Sequence, residues 1–122
     1  MSNGQEMTER IREAIKTGRI TFSKNKGESA KDAIVIRKIS EVEGVHAVCI
    51  APFSEHEWLA SVFGKENKDW KLERQAYVPI DGKRYDIMTI KLSGGGIKEI
   101  YFDITDPFSK LRENLRSADK GE

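Results

Sequence analysis

The sequence predicts an α+β domain with a mostly antiparallel sheet, in the order α-β-ββ-α-βββ-α, with short helices packed on the sheet. Three observations carry this expectation. Residues 70–105 read WKLERQAYV-PIDG-KRYDIMTIKL-SGGG-IKEIYFDIT, alternating runs split by two glycine-bearing turns, the pattern of a β-meander. Residues 33–39, AIVIRKI, form a further run rich in β-branched side chains. Two other stretches space their apolar residues as helices do.

In chain order, residues 1–6 are polar and expected to be disordered. Met7, Ile11, Ala14 and Ile15 then recur at helical spacing, with Thr8 as N-cap and Gly18 as stop. Arg19 to Ser23 alternates through Ile20 and Phe22 as a short strand would. Lys24 to Asp32 is a polar loop. Ala33 to Ile39 is apolar on both faces at Ile34, Val35 and Ile36, which predicts a central strand covered on both sides. After a turn over 41–44, Val45 to Ala51 is expected to be its return strand, ended by Pro52. Phe53 to Gly64 carries a capping-box pattern, Ser54 at the cap and Glu57 three residues on, with Phe53 and Trp58 at staple spacing. Asp106 and Pro107 then open a final helix through Phe108, Leu111 and Leu115. One domain over 7–116 results, with 117–122 as a frayed tail.

The meander permits a register prediction. Met88, Ile90 and Leu92 share one face of the second run, and Ile100, Phe102 and Ile104 one face of the third. Facing these sets sets Ile90 opposite Ile100 and Lys91 opposite Glu99, around a loop Gly94-Gly95-Gly96. At the first turn, Asp81-Gly82 favours a two-residue type I′ hairpin, but that register would oppose Leu72 to Lys91 and break the faces. Burying Trp70 and Leu72 is worth about 2 kcal/mol each. That outweighs a turn preference, so a three-residue loop over 80–82 and Leu72 opposite Ile90 are expected. The other face then carries Glu73, Gln75, Tyr77, Tyr85, Ile87, Thr89, Glu99, Tyr101 and Asp103, gathering all three tyrosines.

Composition excludes several function classes. The chain has 122 residues, enough for one modest core, with 38% hydrophobic and 34% charged residues. A net charge of +1 offers no field to recruit nucleic acid or an anionic membrane. Cys49 is the only cysteine, so no disulfide forms within the chain. The start, MSNGQEMTER, lacks the apolar core of a signal peptide, and no run reaches the length of a membrane span. A cytoplasmic location is expected.

No catalytic, metal or nucleotide motif stands out. His46 and Cys49, three apart on an expected strand, would point to opposite faces, so no metal site is expected with His56. Cys49 beside Val45 and Ala47 reads as a small core residue. His56 between two glutamates reads as a surface histidine, and Ser54 as a cap rather than a nucleophile. Gly94-Gly95-Gly96 joins two strands and opens no helix, so it is a hairpin and not a phosphate loop. Glu73, Glu99 and Asp103 would repel phosphate from the tyrosine face, which removes a nucleic-acid platform.

Residues 95–103, GGIKEIYFD, followed by a short amphipathic helix, slightly resemble a late strand of the cone-shaped NTF2-like domains. That resemblance implies small-ligand binding, and in some members isomerase or dehydratase chemistry by an Asp with Tyr or His. Because it gathers all three tyrosines, the other face of the meander is the candidate site: Tyr77, Tyr85, Thr89, Tyr101 and Asp103. The function expected first is a non-enzymatic protein-binding or regulatory module using that face or an open sheet edge, with no cofactor. The alternative is a ligand or enzyme pocket in a curved-sheet domain, NTF2-like or cystatin-like. There Asp103 would act as base and the tyrosines as hydrogen-bond donors to a small molecule.

Overall fold

The computed structural model describes residues 3–107. The architecture is α+β: two helices lie against one face of a five-stranded, mostly antiparallel sheet, and the chain turns helical again at 105–107, where the described residues end. The elements are α1 (Asn3–Lys16), β1 (Ile20–Phe22), β2 (Ile34–Lys38), α2 (Ile50–Phe63), β3 (Trp70–Ile80), β4 (Lys83–Leu92) and β5 (Ile97–Asp103). The spatial order is β1-β2-β5-β4-β3. The β2–β5 pair is parallel and every other pair antiparallel. Among the described residues no helix is long and apolar enough to cross a membrane.

The stripe of Ile11 and Ala14 on α1 is fully buried, as its spacing requires. The helix starts ahead of Thr8, however, and takes in residues 3–6, expected to be disordered. Gly18 stops it in the left-handed region at φ 80°, where the Arg19 amide returns to the Ala14 carbonyl at 2.8 Å. Residues 24–33 then run as a loop along β5, where the Tyr101 amide donates to the Gly27 carbonyl at 2.7 Å. Space is tight there, because a Cβ on Gly27 would stand 2.7 Å from the Ile34 side chain.

The expected return strand over 45–51 does not form. Ala47–Cys49 makes a single 3-10 turn that runs straight into α2 at Ile50. The apolar run VHAVCIAP suits either period, and the helical one buries Ile50 against the sheet. Pro52 does not oppose this, because in the first turn its missing N–H has no intrahelical partner to lose. Ser54 is therefore not a cap but lies inside the helix. Gly64 does end it, at φ 104°, with its amide on the Ala60 carbonyl. Trp58 sets its indole edge-on to Phe102 with ring centroids 5.6 Å apart, joining α2 to the sheet. On β2, Ile34 and Ile36 are fully buried while Val35 is half-buried and Arg37 exposed, so the strand is interior but covered chiefly on one side.

Both hairpins depart from the expected register in an instructive way. At the first turn, Asp81 and Gly82 have φ 49° and 81° and form a two-residue loop, with Ile80 opposite Lys83. Yet Leu72 still opposes Ile90, and Trp70 opposes Leu92. A β-bulge between Leu72 and Arg74 makes both possible: two residues of β3 answer one of β4, so Glu73 takes up the offset. The three-residue loop over 80–82 is thus corrected, and the buried pairing at Trp70 and Leu72 holds.

At the second turn, Met88 opposes Ile100, Ile90 opposes Lys98 and Thr89 opposes Glu99, two residues off the expected pairing. A shift of two keeps every side chain on its face. The loop is still three residues long but is Ser93-Gly94-Gly95, with Gly95 at φ 101° and its amide on the Leu92 carbonyl at 2.8 Å. That choice uses a glycine where positive φ is required and gives up the Lys91–Glu99 pair, worth only a few tenths of a kcal/mol, roughly.

A deletion tests the bulge. Removing Glu73 leaves Leu72 opposite Ile90 and Arg74 opposite Thr89 with no offset to absorb. The shortened chain should fold with a stability change on the order of 1 kcal/mol or less. It should also self-associate more readily, since a flat edge strand has lost its irregularity. Denaturant melts and sedimentation check both, and a chain that fails to fold would refute this account of the bulge.

Candidate functional site

The bulge decides where the predicted site residues go. Beyond it Tyr77 opposes Asp86, while Tyr85 opposes Val78 and Asp103. Tyr77 therefore lies on the face that α2 covers, and Tyr85, Thr89, Tyr101 and Asp103 lie on the other. The expected convergence of three tyrosines does not occur. Tyr85 is only 7% exposed and Tyr101 half-buried. Asp103 is buried and engaged: its Oδ1 accepts from the Thr105 amide at 3.0 Å and from the Thr105 hydroxyl at 2.6 Å. That hydroxyl in turn accepts from the Arg84 amide at 2.9 Å. Asp103 thus helps start the final helix, a duty expected of Asp106, whose Oδ2 instead accepts the Lys38 amide at 2.9 Å. The remainder of that helix, through Leu111 and Leu115, lies outside the described residues.

A different constellation stands on the α2-covered face. Ser54 and Glu55 are fully buried, and neither the Ser54 hydroxyl nor either Glu55 carboxyl oxygen meets a donor. The neighbour of Glu55 is Asp86, another carboxyl group, so a bond between the two needs a proton on one of them. Burial pushes Glu55 well above the usual carboxylate range, and the adjoining Asp86 pushes it the same way. Asp86 is itself nearly buried and holds the Gln75 amide on Oδ2 at 3.3 Å.

Asp86 also lines a cleft of about 200 Å³ at the N-terminal end of α2. Val48, Ala51, Pro52 and Ile104 give it apolar walls, and Tyr77 stands at the same cleft. Val48 is 60% exposed and Tyr77 47% exposed, so the rim presents two large apolar side chains to solvent. Four elements meet here: the 3-10 turn, α2, the β3–β4 hairpin and the end of β5.

The second polar cleft, about 450 Å³ between α1, α2 and the turn over 64–69, is internally satisfied. His56 Nδ1 lies 3.0 Å from Glu66, and Arg12 holds Glu57 through two nitrogens at 2.7 and 3.0 Å. The Glu57 carboxylate raises Arg12 further, by hydrogen bond first and by charge second. Trp70 closes the floor with its indole N–H on the Gly64 carbonyl at 2.7 Å. His46 is exposed and does not line this cleft. Among the described residues no three His, Cys, Asp or Glu side chains stand where a metal ion could be held.

Sequence reasoning missed Glu55 because the capping-box pattern explained it away. The missed signal was period: Glu55 and Leu59 are four apart and share one helix face. No protein-family model matches the chain, and no curated protein or solved structure matches it significantly, so the slight likeness of residues 95–103 to an NTF2-like strand gains no support.

Two substitutions test the buried acid. Glu55 keeps its proton in the folded state to higher pH than in the unfolded chain, where it titrates normally. Its contribution is therefore complete below the ordinary glutamate value and is lost as pH rises through the raised folded value. Melting temperature should fall over that interval, and Glu55→Gln should flatten the fall. Ser54→Ala should be neutral or stabilising, by on the order of 1 kcal/mol, since it removes an orphaned hydroxyl. A loss of about 1 kcal/mol would instead restore a capping role.

Proposed function

We propose that this domain is a non-enzymatic binding module that docks another protein at the cleft between the N-terminal end of α2 and Tyr77. The observation that carries this reading is the coincidence, in one place, of exposed Val48 and Tyr77 with a nearly buried carboxylate, Asp86. Interfaces concentrate aromatic and apolar side chains at their centres and leave few charges there. Size argues for a protein ligand over a small molecule. Sites for small molecules run to roughly 300–1,000 Å³, and a cleft of about 200 Å³ has room for one side chain.

The sheet edges offer less. β1 is three residues long, and β3 is interrupted by its bulge and by Pro79, the devices that keep edges from pairing. The enzymatic alternative built on Asp103 has little support, since that carboxylate is committed to Thr105.

Capture from a native lysate with three baits tests the reading. The wild-type chain and Tyr101→Ala should retain the same protein partner, because Tyr101 lies on the opposite face. Val48→Asp should lose it while melting normally, with a loss equivalent to about 2 kcal/mol or more if Val48 packs at the centre of the contact. Loss with Tyr101→Ala but not with Val48→Asp would return the site to the other face of the sheet.

A further inference from the structure

We propose that the Glu55–Asp86 pair is a recognition site for a cationic side chain, lysine or arginine, presented by a partner protein and admitted past Val48 and Tyr77. This rests on the partner-binding reading above and adds the chemistry of the group that enters. The argument begins from hydrogen-bond capacity. Glu55 is fully buried, its carboxyl oxygens meet no donor of the protein beyond a proton shared with Asp86, and the Ser54 hydroxyl is buried without a partner. Asp86 receives one long bond, from Gln75 at 3.3 Å. Acceptors therefore outnumber donors where the helix meets the sheet, and the deficit lies against the carboxylate that lines the cleft.

An ammonium group brings three donors and no acceptor, and a guanidinium brings five. Either would meet the deficit, and its alkyl stem would lie along Ala51, Pro52 and Ile104. An anion is excluded by the paired carboxyls, and a neutral group would leave Asp86 without a counter-charge. A metal ion lacks a third ligand among the described residues. Among the described residues no lysine or arginine lines the cleft; Arg84 shares the strand face of Asp86, and Gln75 on the neighbouring strand reaches Asp86 at 3.3 Å. Apolar walls on one side strengthen the attraction, because the same charges in bulk solvent are worth far less.

The test uses the full chain and two probes of the proposed group, n-butylammonium and methylguanidinium chloride, titrated to decimolar concentration at neutral pH. Sodium chloride at matched ionic strength and n-butanol serve as controls, with backbone amide NMR as the readout. Both cations should shift the Val48, Tyr77 and Asp86 amides in a saturable way, with sodium chloride inactive and butanol much weaker. Asp86→Asn should weaken the cations by about tenfold or more and leave butanol unchanged. Tyr77→Ala, an exposed position, should weaken both classes and serves if Asp86→Asn does not fold. Equal response to butanol and butylammonium would overturn the cation site while leaving the docking cleft in place. Absence of any shift at the cleft would overturn it as well. Failure of the docking reading itself would appear separately, as lysate capture indifferent to Val48→Asp.

Discussion

The arrangement of side chains over the α2-covered face depends on one offset in β3. Asp81 and Gly82 hold a two-residue turn through positive φ, which fixes the pairing of residues 74–80 with β4. Trp70 and Leu72 must face inward to close the other end of the core, which fixes a pairing one residue different. A sheet of uniform register could satisfy only one of these demands. Glu73 absorbs the difference, so both ends keep their preferred chemistry and the strand gains a local kink. The offset also turns Tyr77 onto the same face as Asp86. Were the Trp70–Leu72 register to run on to the turn instead, Tyr77 would join Tyr85 and Tyr101, and the cleft at α2 would lose its aromatic rim.

The helix–sheet layer mixes this apolar closure with a polar liability. Ile11, Ala14, Leu59, Met88, Ile90 and Phe102 make a continuous core, while Ser54, Glu55 and Asp86 sit within its boundary. Two ionised carboxylates in that setting would repel each other and forgo hydration. Retaining a proton on Glu55 removes the repulsion and gives the pair one donor. It does not satisfy the remaining oxygens or the Ser54 hydroxyl. Buried polar groups left without partners cost stability in general, so the fold gains nothing evident from these residues at this place.

How far the sequence could be read follows from the kind of signal at each point. The meander was legible because strand alternation and glycine-bearing turns are local, and its face assignments near Trp70 and along Met88 to Leu92 stand. The second hairpin slid by two residues because faces constrain parity alone, and three consecutive glycines supply the positive-φ position in either register. Residues 45–51 were unreadable for a different reason: a short apolar run has no period of its own, and packing against the sheet made it helical. The candidate site inherited both gaps. Tyr77 changed faces through a bulge that no local pattern announces, and Glu55 was hidden by a capping motif that the earlier helix start made irrelevant.

The two clefts flanking α2 show why unspent bonding capacity, rather than the presence of reactive residue types, points to a site. The cleft with His56, Glu66, Arg12 and Glu57 carries the side chains most often associated with chemistry. Yet each has a partner within the same cluster, and the pairs tie α1 and the turn after α2 to α2 itself. Ion pairs this exposed contribute little, about 0–1 kcal/mol, but they leave no acceptor seeking a donor. At Glu55 and Asp86 the position is reversed. The groups are few and chemically plain, and they are shut away from water that could satisfy them. Of the two carboxyl groups only Asp86 reaches the cleft rimmed by Val48 and Tyr77, and Glu55 lies buried behind it.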